Sequence, residues 1–178
     1  MFRQGTGFRQ VVALAVVAGM LGGCASASAA PPPRGLWATV NICDTVNNPN
    51  KMGVRGSMPG DGNRHERMYM RFHAQSYDQT TKTWSEVKGV NVSGWLLAGS
   101  ARFKARQAGF TFQFNSPTAG KSFVLRGVVD FQWRERRRTK SGKLRMVVVR
   151  TLHANTKGEH AAPGADPKGY SSGTCEIS

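Results

Sequence analysis

Acidic residues are scarce in this sequence of 178 residues, which has 10 Asp and Glu against 25 Lys and Arg and a formal net charge of +15. So few carboxylates leave little material for the paired acids that general acid–base catalysis often uses. The sequence also has no long apolar stretch. The strongest one, residues 11–21, is shorter than the ~20 residues of a membrane-spanning helix. With 39% apolar and 20% charged residues, the chain is nevertheless typical of a globular protein.

The common catalytic and metal-binding motifs are also missing. The sequence has no G-x-S-x-G nucleophile motif and no HExxH zinc motif, and its histidines lack the spacing of metal ligands. We therefore expect exposed or hydrogen-bonded histidines, no catalytic residue, no metal, no cofactor and no enzymatic activity. The competing hypothesis is a hydrolase on a β-scaffold. The histidines concerned are His65, His73, His153 and His160.

Residues 1–30 are predicted to be a secretory signal peptide. Arg3 and Arg9 precede the apolar run, and a series of small residues follows it. A lipobox-like sequence before Cys24 would make this cysteine the lipidated first residue of the mature chain. Alternatively, an A-x-A sequence is cleaved between residues 27 and 30 and Cys24 is lost, or the segment stays in place as a membrane anchor.

A short spacer and one domain are predicted to follow the signal. Residues 31–35 include three prolines, which favour an extended and stiff conformation. Residues 36–178 then form the folded domain. We expect the protein to be secreted, or to be held at the outer face of the bacterial cytoplasmic membrane by a lipid on Cys24. Removal of the two basic residues of the signal lowers the net charge from +15 to +13.

Two cysteines remain in the predicted domain. Cys43 lies in its first strand-like segment and Cys175 in its last. In an exported protein such a pair is normally oxidised, so we predict a Cys43–Cys175 disulfide. The alternative is two unrelated buried thiols.

Apolar and polar residues alternate along most of the domain. In residues 67–77, for example, Met68, Met70 and Phe72 alternate with polar residues, and residues 122–136 show the same period of two. No segment after the signal has a sustained helical period. The pattern predicts an all-β domain, with eight or nine short strands in an antiparallel β-sandwich.

Three segments carry a resemblance to a known group of proteins. Residues 123–133, the hairpin that leads to residues 144–151, and residues 165–175 resemble exported immunoglobulin-like domains of unknown role from actinobacteria. The similarity covers most of residues 36–177 and rests mainly on core and disulfide positions. It implies an immunoglobulin-like sandwich and supplies no catalytic residues. The pattern departs from antibody domains because Cys175 lies on the last strand.

Positive charge is concentrated in residues 134–145, which contain seven basic residues and one acid. Lys140 to Lys143 is predicted to be a hairpin turn, with Gly142 at positive φ. A second basic row is predicted on one face of a strand by its period of two. The candidate polyanion-binding residues are Arg134, Arg136, Arg137, Arg138, Lys140, Lys143 and Arg145 in the hairpin, and Arg102, Lys104 and Arg106 in the row.

From these features we predict a non-enzymatic, exported domain of the cell envelope with a binding or structural role. The possible partners are another envelope protein or an anionic polymer: an acidic glycan, a cell-wall polymer, nucleic acid or lipid headgroups. The basic residues have an ordinary explanation as well, since charged strands keep a domain soluble and stop sheets from pairing. Residues 47–66 and 153–172 are expected to be long loops that either bind a ligand or only connect strands.

Overall fold

The computed structural model describes residues 33–89, 92–161 and 163–178. Within these residues the chain forms nine β-strands and no helix, so the predicted all-β class is confirmed. The predicted signal peptide, Cys24 and most of the spacer lie outside the described residues. The strands are β1 (Trp37–Thr45), β2 (Asn48–Pro59), β3 (Glu66–Asp78), β4 (Thr83–Glu86), β5 (Leu96–Ser100), β6 (Ala105–Gln113), β7 (Phe123–Arg138), β8 (Leu144–Asn155) and β9 (Cys175–Ile177).

The strands form two antiparallel sheets in a sandwich-like arrangement. The small sheet has the order β1-β2-β6. The large sheet has the order β4-β3-β7-β8, with β5 added to β3 and β9 added to β7. Among the described residues, no helix is long and apolar enough to cross a membrane.

The predicted alternation decides which side chains enter the core. On β3, Met68, Met70 and Phe72 are fully buried between the sheets, while the residues between them face away. On β7, Val129 and Trp133 are fully buried on the same inner side. The period of two therefore gives each strand of the large sheet an apolar face toward the small sheet and a second face directed outward.

Trp133 and Gly127 show how closely the two sheets pack. The indole Nε1 of Trp133 donates a hydrogen bond to the Pro59 carbonyl of the small sheet, at 3.2 Å. A Cβ on Gly127 would lie only 2.6 Å from a methyl group of Val54. Glycine at this position of β7 thus gives Val54 the space it occupies in the core.

The prediction of a long loop over residues 47–66 is wrong for most of that segment, because β2 occupies Asn48–Pro59. The Asn- and Pro-rich composition suggested a loop, but Pro49 lies before the paired region of β2 and β6, which begins at Lys51. A proline at this end of a strand costs no ladder hydrogen bond. The actual connection is limited to residues 60–65. Of the second expected loop, residues 153–155 belong to β8, and the remainder is largely irregular.

The prediction that Arg102, Lys104 and Arg106 form a row on one strand is also wrong. The chain leaves the large sheet after β5 and enters the small sheet at β6, and residues 101–104 form the turn and bend between them. Only Arg106 lies on a strand, where its guanidinium stacks on Phe103 with 3.8 Å between Cζ and the ring centroid. A crossover between two sheets cannot keep a single strand period, so these three side chains do not share one face.

A disulfide between Cys43 and Cys175 connects the two sheets, as predicted. Cys43 belongs to β1 of the small sheet and Cys175 to β9 of the large one, 132 residues apart in sequence. Cys175 is buried in the core. A cross-link over so long a stretch of chain removes much of the conformational freedom of the unfolded state.

Replacing both cysteines, as Cys43→Ala/Cys175→Ala, is expected to lower the free energy of unfolding by about 3–5 kcal/mol, because the unfolded chain regains this freedom. Urea denaturation followed by tryptophan fluorescence measures the change. A reducing agent should destabilise the wild type by a similar amount and leave the variant unaffected. Equal stability of the two proteins under oxidising conditions would contradict the stabilising role of the bridge.

Candidate functional site

The side of the large sheet that faces away from the small sheet collects most of the polar side chains of β3 and β7. We call it the outer face. Alternation along β3 directs Tyr69, Arg71 and His73 to this side, and alternation along β7 directs Asp130 and Arg134 there. Because the strands are adjacent, residues distant in sequence meet on this face.

A buried carboxylate, that of Asp130, lies at the centre of the outer face. In the strand register, Asp130 is opposite Arg71 of β3 on one side and His153 of β8 on the other. His73 is two residues along β3 from Arg71 and reaches the same carboxylate. Only 7% of the Asp130 side chain is exposed, so its negative charge is held largely away from water.

Every contact of this carboxylate is with a cationic or imidazole group. Arg71 donates from Nε and from a terminal nitrogen to Oδ2, at 3.0 and 2.7 Å. The Nε2 atom of His73 lies 2.8 Å from the same oxygen, and Nδ1 of His153 lies 2.5 Å from Oδ1. A carboxylate with donors on both oxygens satisfies the usual requirement for burying a charge.

These contacts keep Asp130 ionised. Burial by itself raises the pKa of the Asp130 carboxyl, but hydrogen bonds from Arg71, His153 and His73 outweigh it and hold the pKa below its ordinary value. The group therefore serves as an anchor for its neighbours and not as a proton donor near neutral pH. His73 and His153 are among the histidines that the sequence predicts to be exposed or hydrogen-bonded, and only the structure reveals that they share one partner.

Arginines and aromatic rings alternate beside this cluster. The guanidinium of Arg134 lies 4.3 Å from the ring centroid of Tyr69 and 4.7 Å from that of Trp95, and Arg71 lies 4.8 Å from the Trp95 ring. Gln132 accepts a hydrogen bond from Nε of Arg134 at 2.8 Å. Stacking and this hydrogen bond fix the orientation of Arg134 while its terminal nitrogens have no partner among the described side chains.

A second arginine–aromatic pair lies toward the other end of the outer face. Arg126 of β7 stacks on Trp84 of β4 at 4.4 Å, and its Nε donates to Gln75 at 2.9 Å. Burial lowers the pKa of the Arg126 guanidinium, against an opposite effect from Glu86. The rings that stack on these arginines come from Tyr69 of β3, Trp84 of β4 and Trp95, which precedes β5, and not from the basic segment itself. The basic segment alone therefore does not reveal that aromatic rings accompany its charges.

A groove of about 400 Å³ continues the outer face toward the β7–β8 hairpin. Three arginines and one histidine line it, and none of the described residues that line it has a carboxylate. None of the three arginines forms an ion pair with any carboxylate in the described part of the chain. The lining residues are Arg64, His65, Arg67, Tyr69, Leu97, Arg136 and Met146.

The predicted basic hairpin is present, but its charges are divided. The turn has the expected form, with Gly142 at a φ of 78° and the Thr139 amide bonded to the Lys143 carbonyl. Alternation along β7 puts Arg134 and Arg136 on the outer face and Arg137 on the opposite one, where it pairs with Glu135 at 2.8 Å. The remaining basic residues, Arg138, Lys140, Lys143 and Arg145, are near the exposed tip.

The described residues contain no group of three His, Cys, Asp or Glu side chains arranged to hold a metal ion. The histidines outside the Asp130 cluster have other surroundings: His65 lines the groove, and His160 stacks on Trp37 with 4.6 Å between the ring centroids. No family model matches the sequence, and no curated protein matches it.

Replacing Asp130 with asparagine is expected to lower the free energy of unfolding at pH 7 by about 2–4 kcal/mol, because Arg71 and two imidazoles lose the negative charge of their common acceptor. Since the folded-state pKa of Asp130 lies below the unfolded value of about 4, this stabilisation is present above pH 4 and is lost as the pH falls further. Urea denaturation measures the free energy of unfolding of the wild type and of Asp130→Asn. The difference between the two values should be smaller at pH 3 than at pH 7.

The matched control is Glu159→Gln, which neutralises one exposed carboxylate. Its free energy of unfolding should stay within about 0.5 kcal/mol of the wild type. If Asp130→Asn is less stable than the wild type by the same free energy at pH 3 as at pH 7, the destabilisation comes from packing and not from charge.

Proposed function

We propose that this protein is a non-enzymatic, exported domain of the bacterial cell envelope that binds an anionic polymer through its outer face. The single observation that carries the proposal is the groove beside Tyr69, which Arg64, Arg67 and Arg136 line and which has no carboxylate among its lining residues. Like charges gathered in this way repel each other, and a bound anion relieves that repulsion. The alternative is that the charges only keep the domain soluble.

The chemistry of the outer face favours repeated carboxylate, phosphate or sulfate groups. Arginine presents a planar set of donors that matches such groups in a bidentate way. Arg134 is already oriented by Tyr69, Trp95 and Gln132, so less conformational freedom would be lost when it binds. Residues spaced by two on β7, such as Arg134 and Arg136, lie about 7 Å apart along the strand and could contact successive anionic groups.

Export and the finer fold type belong to the same proposal. The disulfide supports an oxidising compartment, and the predicted signal over residues 1–30, with Cys24 as lipidation candidate, would deliver the domain there. We also propose an immunoglobulin-like fold. Two antiparallel layers joined by a bridge between the sheets support it, although the division into three and six strands is unequal.

The competing function is a hydrolase, and the Asp130–His153 contact is the observation that favours it, since a carboxylate can orient an imidazole as a general base. Against it, 66% of the His153 side chain is exposed on an open sheet face. We expect no hydrolysis of ester, glycoside or phosphodiester reporter substrates by the purified protein. Turnover that is present in the wild type and lost in His153→Ala would overturn the non-enzymatic proposal.

Removing charge from the groove is the direct test of binding. The variant Arg67→Gln/Arg136→Gln should bind immobilised polyphosphate and polyglutamate at least about tenfold more weakly, with affinities measured at several salt concentrations. The slope of log affinity against log salt should fall by about one to two, because two cation–anion contacts are lost. Immobilised neutral dextran should retain neither protein.

The matched control is Lys51→Gln/Lys168→Gln, which removes the same net charge from residues on or beside the small sheet. If binding depends only on net charge, this control should weaken it as much as the groove variant does, and the proposed site is then wrong. Comparison of polyphosphate with polyglutamate indicates which anionic group the outer face prefers. Circular dichroism shows whether both variants keep the β fold.

A further inference from the structure

The edge of the large sheet formed by β8 is open along residues 144–151. Among the described residues, β7 is the only strand that pairs with β8. In an antiparallel pair, every second residue directs its amide and carbonyl away from its partner, so about four residues of this stretch offer free backbone groups to the outside. An edge of this kind is a template for one more strand.

This stretch of β8 is apolar as well as open. Its side chains are exposed on both faces of the sheet. Five apolar residues have exposed fractions between 38% and 54%. A continuous apolar run on an edge strand is unusual for a free surface, since natural sheets normally protect such edges. The residues are Leu144, Met146, Val147, Val148 and Val149.

The charge around the edge indicates the kind of strand that fits. β8 has no acidic residue and carries Arg145 and Arg150, while residues 136–138 of β7 are three further arginines. The one acid of the hairpin, Glu135, is already paired with Arg137. A second copy of this chain would bring the same positive charge to the edge, so repulsion opposes self-pairing. An acidic strand is complementary.

We propose that β8 binds an extended acidic segment of a partner protein as an additional antiparallel or parallel strand. Backbone hydrogen bonds supply affinity, alternate apolar side chains of the segment pack on Met146 and Val148, and its carboxylates pair with the arginines nearby. The site is the backbone edge of β8. Met146 also lines the groove of the outer face, but the inference rests on the free edge and does not depend on the binding of an anionic polymer.

Short capped peptides provide the test. The probe alternates valine with glutamate, and its matched control has the same sequence with every backbone amide N-methylated, which keeps the charge but removes the hydrogen-bond donors of both edges of the peptide. Fluorescence anisotropy should show binding of the probe and at least about tenfold weaker binding of the methylated peptide. A peptide with lysine in place of glutamate should not bind detectably under the same conditions.

The location of binding is tested on the protein. Hydrogen exchange at the amides of residues 144–151 should slow when the probe is added. The variant Met146→Ser/Val148→Ser should weaken probe binding several-fold, whereas Val46→Ser, at a residue that is 99% exposed in the β1–β2 turn, should not change it. Both variants alter exposed residues, and thermal unfolding shows whether they fold as the wild type does.

Three results would overturn the inference. Equal binding of the methylated and unmethylated peptides would mean that charge alone attracts them. No binding of the probe at all would mean that the edge does not accept an acidic strand. Dimers in analytical ultracentrifugation that dissociate on Met146→Ser/Val148→Ser would mean that a second copy occupies the edge. Loss of polyphosphate binding in the groove variant changes none of these outcomes, so the two proposals fail separately.

Discussion

The register of β7 is the constraint on which the rest of the large sheet depends. This strand of 16 residues pairs with β3 along one side and with β8 and β9 along the other. Its alternation sends Val129, Phe131 and Trp133 into the core and Asp130 and Arg134 to the outer face. A shift by one residue would exchange the two sets, burying charge and exposing the core. The same register therefore stabilises the fold and assembles the candidate site.

Charge on the outer face is organised by one negative group among many positive ones. Asp130 is paired with Arg71 and hydrogen-bonded to two histidines, so it orders the middle of the face without offsetting the arginines farther along. Those arginines are either stacked on rings, as Arg134 is, or left around a groove that lacks carboxylates. A face built in this way combines fixed geometry with unsatisfied positive charge, which are the two properties that selective binding of anions requires.

Much of the fold could be predicted from local pattern, whereas the site could not. Alternation located β3 and β7 and assigned Met68, Met70 and Phe72 to one apolar face, and the hairpin turn followed from Gly142. The Asp130 cluster joins residues 59 and 23 positions apart, and only the register brings them together. The prediction that Arg102, Lys104 and Arg106 share one face of a strand is wrong for a related reason. A period of two does not reveal where a chain crosses between sheets. The loop predicted at the start of β2 is wrong because an Asn-rich composition is typical of loops and does not reveal that the segment pairs with β1.

The position of the disulfide has a consequence for how the chain acquires its structure. Cys43 and Cys175 are 132 residues apart, so the bridge closes only in a chain that contains both β1 and β9. Pairing of β1 with β2 does not need β9, but the thiol of Cys43 has no intended partner without it. A free thiol under oxidising conditions forms mixed disulfides with other molecules. A chain that lacks β9 would therefore leave Cys43 reactive.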